Sequence, residues 1–191
     1  MIDFAPLFGP QTAAGQTATF RVFPRSGTER WLLEAHYRRP WHLETWPQAN
    51  LRARMIYRAA WLLALVGLHL PSRRLTLTIA DSSLYSQLYA RFGALGVFLG
   101  TPGPNRKFVV FAKNTSDAWF IKVPLNMETA ALARNEAAIL SKLATDLDLA
   151  QMVPRCFWIG EALAIEDVRT AGASFAPLDI REVIRVHDLL F

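Results

Sequence analysis

The chain has a single cysteine, Cys156, and no apolar run long enough to cross a bilayer. One thiol excludes an internal disulfide and a cysteine-built zinc site. Cys156 lies in an apolar run, which reads as an inert packed thiol rather than a nucleophile. The longest apolar run, residues 59–68, is well short of the roughly 20 residues that a spanning helix needs, so no transmembrane segment is expected. Met1 to Pro6 carry no basic region and no apolar signal core, which predicts a cytoplasmic protein that is not secreted. No internal repeat and no low-complexity tract is visible.

Acidic residues are scarce in the first part of the chain. Residues 1–113 hold 14 Lys/Arg against 5 Asp/Glu, a net of +9, whereas residues 114–191 hold 7 against 11, a net of −4. Such asymmetry can mark a nucleic-acid or membrane surface, and a solvated Arg-rich face is the plainer reading. No basic run interleaves with aromatics as single-strand binding requires, so nucleic acid is not an expected partner. What is abundant is apolar matter. At 52% hydrophobic residues, with 6 Trp and 12 Phe, the 191 residues can bury a real core, which excludes a disordered chain.

Residues 1–18, rich in Gly, Pro, Gln, Thr and Ala, read as a loosely ordered lead-in. Residues 19–23 alternate as a half-buried strand, Pro24 to Gly27 signal a turn, and residues 30–34 read as the returning strand of a hairpin. His36 and His42 are spaced too far apart, with no third ligand nearby, to suggest a metal. From residue 48 to 68 Leu51, Met55, Ala59, Leu62, Leu63 and Val66 recur at helical spacing. The run after Arg58 is apolar nearly all round, which predicts a helix buried on most sides. An interfacial membrane helix is the alternative. Residues 75–79 alternate as a strand, and Asp81 or Ser82 is the expected cap of a helix running through Leu84, Leu88 and Phe92. Residues 1–90 are therefore expected to form a small α+β region.

Residues 91–172 carry the chemistry. A short apolar strand at 94–99 leads into a breaker cluster containing Gly100, Pro102, Gly103 and Pro104, followed by a β-prone run at 108–112. Glycine lets a backbone approach phosphate oxygens and present N–H groups to them, and Arg106 and Lys107 add positive charge. After a turn, residues 119–123 form the next expected strand. There Lys122 shares a face with Phe120 and Pro124, and a lysine so surrounded needs a counter-charge or solvent. Asn126 can cap a helix over 127–144 whose expected apolar stripe is Leu132, Ile139, Leu140 and Leu143. Glu136 lies four residues from both Leu132 and Leu140 and is the candidate partner of Lys122. Two further strands, near 153–158 and 161–166, end in Ile165-Glu166-Asp167-Val168, with Gly172 beyond.

This order of hairpin loop, strand lysine, helix glutamate and hinge resembles the amino-terminal lobe of the protein-kinase-like fold, nearest to the aminoglycoside and choline phosphotransferases. The resemblance covers about 80 residues and departs from the kinase Gly-x-Gly-x-x-Gly, since only two glycines remain and two prolines stiffen the loop. It implies a five-stranded antiparallel sheet with one packed helix, and ATP as the cofactor. By resemblance, Gly100 and Gly103 cover the phosphates and Lys122 contacts them while paired with Glu136. The Glu166 carbonyl and Val168 amide would bond adenine. It assigns no magnesium ligand and no catalytic residue. The catalytic lobe of that fold brings a His-x-Asp…Asn loop and an Asp-Phe-Gly. Only 19 residues follow Gly172, His187-Asp188 is followed by no Asn, and no Asp-Phe-Gly occurs.

Three readings follow. The first is a kinase-like nucleotide-binding or regulatory module of pseudokinase type, truncated or completed by a partner. The second is a small-molecule phosphotransferase whose catalytic lobe lies elsewhere. The third is a non-enzymatic α+β protein that uses its basic first half on nucleic acid or an anionic surface. Residues 173–191 read as an amphipathic helix, and a homodimer or a protein partner is expected at the hinge and this helix.

Overall fold

The computed structural model describes residues 2–11, 14–25, 27–45, 51–146 and 149–168. Gly172 and the expected helix of 173–191 lie outside the described residues, and so does the partner surface expected there.

The chain is α+β and is built on one antiparallel sheet. Its strands are β1 (Gly15–Phe23), β2 (Trp31–Glu34), β3 (Arg73–Ala80), β4 (Ala94–Phe98), β5 (Lys107–Lys113), β6 (Ala118–Pro124), β7 (Cys156–Ile159) and β8 (Ala162–Glu166). They lie in the order β3-β1-β2-β4-β5-β6-β8-β7. Five strands were expected in one sheet, and the sheet has eight. The reason lies at β4, whose outer edge pairs with β2 through Trp31↔Phe98 and Leu32↔Val97. Leu99 N–H continues the pairing to the Arg30 carbonyl at 2.7 Å. The hairpin of the first residues thereby satisfies backbone groups that an edge strand would expose.

Alternation along the strands gives the sheet two different faces. Phe20, Val22, Leu32, Leu95, Val97, Phe108, Val110, Trp119, Ile121 and Val123 share one, and this face forms the main core. It is covered by α1 (Ala5–Phe8) and α3 (Leu84–Phe92), which supply Leu7, Phe8, Tyr85, Leu88 and Phe92. The expected loose lead-in is thus corrected by the structure. Asp3 Oδ1 accepts from Ala5 N–H at 2.9 Å, Pro6 stands in the first turn, and Leu7 and Phe8 are fully buried. Proline and acceptor start the helix, and burial of two large side chains holds it. The cap of α3 is Ser83, one residue beyond the expected pair. Its hydroxyl accepts from Ser86 N–H at 3.2 Å.

The other face carries a 3-10 helix (Trp41–Thr45), α2 (Leu51–Leu65) and α4 (Met127–Ala144). The 3-10 helix crosses directly over β4 at Gly96, where any Cβ would overlap the Trp41 carbonyl and the His42 amide. The expectation that α2 is buried on most sides does not hold. Only Ala53, Ala60 and Ala64 are buried, and Leu51, Met55, Leu62 and Leu65 face outward. The helix rests on a narrow alanine side, steadied by Trp61 edge-on to Trp41 and by Tyr57 O–H donating to Glu44 Oε1 at 2.6 Å. No helix among the described residues is long and apolar enough to cross a membrane.

Candidate functional site

The site is built on the face opposite the main core, where β4, β5, β6 and β8 lie side by side. Cross-strand pairing puts Phe98 beside Val109, Val109 beside Lys122, and Lys122 beside Leu163. One step along, Phe111, Phe120 and Ile165 form a second row. Facing residues in paired strands share a side, so Lys122 stands in an apolar, half-buried surface.

α4 supplies the counter-charge. Asn126 Oδ1 accepts from Thr129 N–H at 2.8 Å and Thr129 Oγ1 accepts from Asn126 N–H at 3.1 Å, which makes a reciprocal cap. The buried side of the helix is Thr129, Ala133 and Ala137, with Leu140 packed beside Leu163 and Ile165. This differs from the expected leucine stripe, and Leu132 is exposed. Alanines let the helix approach the sheet closely, and Glu136 stands at the border of that alanine side. From there its carboxylate reaches the Lys122 ammonium, and the two form an ion pair and hydrogen bond. Both side chains are partly buried, which reduces the screening that makes exposed pairs weak.

The loop between β4 and β5 holds Gly100 and Gly103. Gly100 has φ +74°, and a Cβ there would overlap the Lys107 carbonyl. Gly103 has φ +148° with open space around it. Arg106 anchors the loop from within, its Nε–H donating to the Leu99 carbonyl at 2.8 Å, while its Nη2 is buried without a partner among the described residues. Asn126 Nδ2 donates to the Pro104 carbonyl at 3.1 Å, tying the loop to the cap of α4. The amides of Thr101, Gly103 and Asn105 donate to no group among the described residues. Under the loop lies a cleft of about 380 Å³ lined by Phe98, Gly100, Gly103, Lys107 and Val109; Lys122 is not in its lining.

Asn126 therefore serves two elements at once. Asn126→Ala is expected to lower stability by about 1 kcal/mol, the usual effect of losing such a cap. Urea denaturation would measure this, and broader amide signals across 100–105 would report the loosened loop.

Glu166 stands at the other end of β6, opposite Trp119. Its carboxylate is clamped by Arg155, with Nε–H to Oε2 at 3.0 Å and Nη2 to Oε1 at 2.7 Å. This fork lowers the carboxyl pKa below its usual value. Asp167 N–H donates to the Ala118 carbonyl at 2.8 Å, which fixes the exit of β8 against the start of β6. Val168, the last described residue, is half-buried.

The structure thus brings Lys122 and Glu136 into contact and places the Gly100–Gly103 loop at their end of the sheet. It sets Glu166 three residues along β6 from Lys122, about 10 Å at the rise of a strand, with Val168 two residues farther along the chain. Sequence reasoning missed the Arg155 clamp, whose only trace was an arginine eleven residues before a glutamate. It also missed Trp41, which stacks on Phe111 at 6.2 Å and closes that side of the apolar surface. The chain matches no protein-family model, no curated protein and no solved structure.

Proposed function

We propose that residues 94–168 are a kinase-like nucleotide-binding lobe. Lys122 and the amides of the 100–105 loop hold the phosphates of ATP, and the backbone at Glu166 and Val168 holds the adenine edge. The observation that carries this reading is the Lys122–Glu136 pair, made between a central strand and the helix that follows it. In kinases such a pair positions the lysine on the α- and β-phosphates. Three further features support it. The loop offers amides with no partner among the described residues. The partly exposed apolar surface of Val109 and Phe120 beside Lys122 is suited to a flat base. The spacing between Lys122 and Glu166 is of the order of an adenosine's length.

On this reading the lobe holds nucleotide without transferring the phosphoryl group, because that chemistry depends on positioning of magnesium and nucleophile. The role is then regulatory, or the lobe belongs to a phosphotransferase assembled with another polypeptide. Titration of the chain with ATP and magnesium tests the proposal. Saturable binding is expected, weakened at least tenfold by Lys122→Ala and less by Glu136→Gln. The thermal midpoint of each variant serves as the control for folding. Absence of binding at millimolar ATP, or binding indifferent to Lys122→Ala in a folded variant, would overturn the reading. ATP turnover lost with Lys122→Ala would replace the regulatory role with an enzymatic one.

A further inference from the structure

The outward side of α2 is apolar and cationic at once. Leu51, Met55 and Leu62 recur there at spacings of four and seven, and Leu65 and Val66 extend the stripe. Leu65 is 80% exposed and Leu51 73%. Such exposure of five large apolar side chains on one short segment is unusual for a surface that meets only water. Arg54 borders the stripe on one side and Arg52 on the other, Arg58 stands within it beside Leu51 and Leu65, and all three are exposed. Neither Arg52 nor Arg58 has an ion pair among the described residues. Between Glu44 and Asp81 the sequence has no acidic residue at all, while it has five arginines.

The charge continues past the end of the helix. A cleft of about 570 Å³ opens there, with Leu65 and Val66 on one wall and Arg21, Arg38 and His69 around it. Arg21 is held by the Tyr37 carbonyl at 3.5 Å. Its guanidinium is close enough to lower the pKa of His69, second to the effect of burial.

We infer that α2 lies flat on an anionic lipid surface, with its apolar stripe among the acyl chains and its arginines on lipid phosphates. A helix with an apolar side bordered by arginines is the form of an interfacial helix. Long arginine side chains let the stem share the apolar layer while the head reaches phosphate. The absence of any acidic residue across this segment sets the sign of the surface. Trp61 against Trp41 and Tyr57 bonded to Glu44 hold the helix to the 3-10 helix, which orients the outward stripe. The inference does not depend on nucleotide binding.

Co-sedimentation of the full chain with vesicles tests it, comparing pure phosphatidylcholine with the same lipid containing phosphatidylserine. Binding is expected only to the serine-containing vesicles, falling as salt rises. Leu62→Asp with Leu65→Asp should abolish it, and since both positions are exposed the thermal midpoint should stay unchanged. Arg52→Ala and Arg58→Ala should each weaken binding about fivefold. Equal binding to neutral vesicles, no binding to either, or binding indifferent to these substitutions would overturn the inference. Self-association removed by the double aspartate variant, in the absence of vesicle binding, would overturn it in favour of a protein partner.

Discussion

Phe8→Ala is expected to lower the stability of the chain by about 3–5 kcal/mol, the range for a buried phenylalanine cut back to alanine. Phe8 has no exposed surface. Its ring lies 4.9 Å from that of Tyr85 and 5.3 Å from that of Phe20, so it joins α3 and β1 on the core face. Tyr85 O–H in turn donates to Glu34 Oε2 at 3.0 Å, and a cavity beneath Tyr85 would loosen that bond as well. Against a usual total of roughly 5–15 kcal/mol, the loss is a large fraction. Urea denaturation followed by far-ultraviolet circular dichroism would measure it. A loss below about 1 kcal/mol would show that α1 is not a member of the core.

Acid is expected to destabilise the fold through His42, beginning below neutrality. His42 is the second residue of the 3-10 helix, is buried and stacks on Phe23 at 4.3 Å, and neither ring nitrogen has a hydrogen-bond partner among the described residues. Burial pushes its pKa down to about 3, and the nearby His69 and Arg21 add to the effect. An unfolded histidine titrates near 6.5, so between that value and about 3 the unfolded chain binds a proton that the folded chain refuses. The stabilising contribution is complete above 6.5 and is lost as the pH falls towards 3. Each pH unit within that window lowers stability by up to about 1.4 kcal/mol, giving roughly 3 kcal/mol between pH 7 and pH 4.5. Carboxylates add their own loss at the acid end; the Glu166 carboxyl, held below its usual pKa by Arg155, is one. The difference between the chain and His42→Phe isolates the histidine. Between pH 7 and 5 the variant should lose clearly less stability than the unaltered chain, the remainder coming from His69, whose pKa burial also lowers. Parallel profiles over that range would show that His42 is not the responsible group.

Lys122, Glu136 and the cap at Asn126 were legible because each is a local signal. An ammonium in an apolar strand and a carboxylate on the inner side of a helix both demand a partner, and each is the nearest answer to the other. The strands from β4 to β8 were legible for the same reason, since alternation and turn residues act over a few positions. The leucines of α2 and α4 misled. Periodicity shows that apolar residues share a side, but it does not say whether leucine or alanine faces the sheet. In both helices alanines occupy the buried side, leaving Leu132 and Leu62 outside.

By itself, the sequence determined the class of the protein, an α+β chain with hairpin strands around one capped helix, and it determined which charged residues needed partners. Only the tertiary structure decided that β2 continues the sheet past β4, that Phe8 belongs to the core, and that Arg155 holds Glu166. The first two contacts join residues that are distant along the chain, and the third spans the open end of one hairpin. No local propensity favours them, and they form because the assembled sheet leaves an edge, a cavity and a carboxylate that only those groups are placed to satisfy.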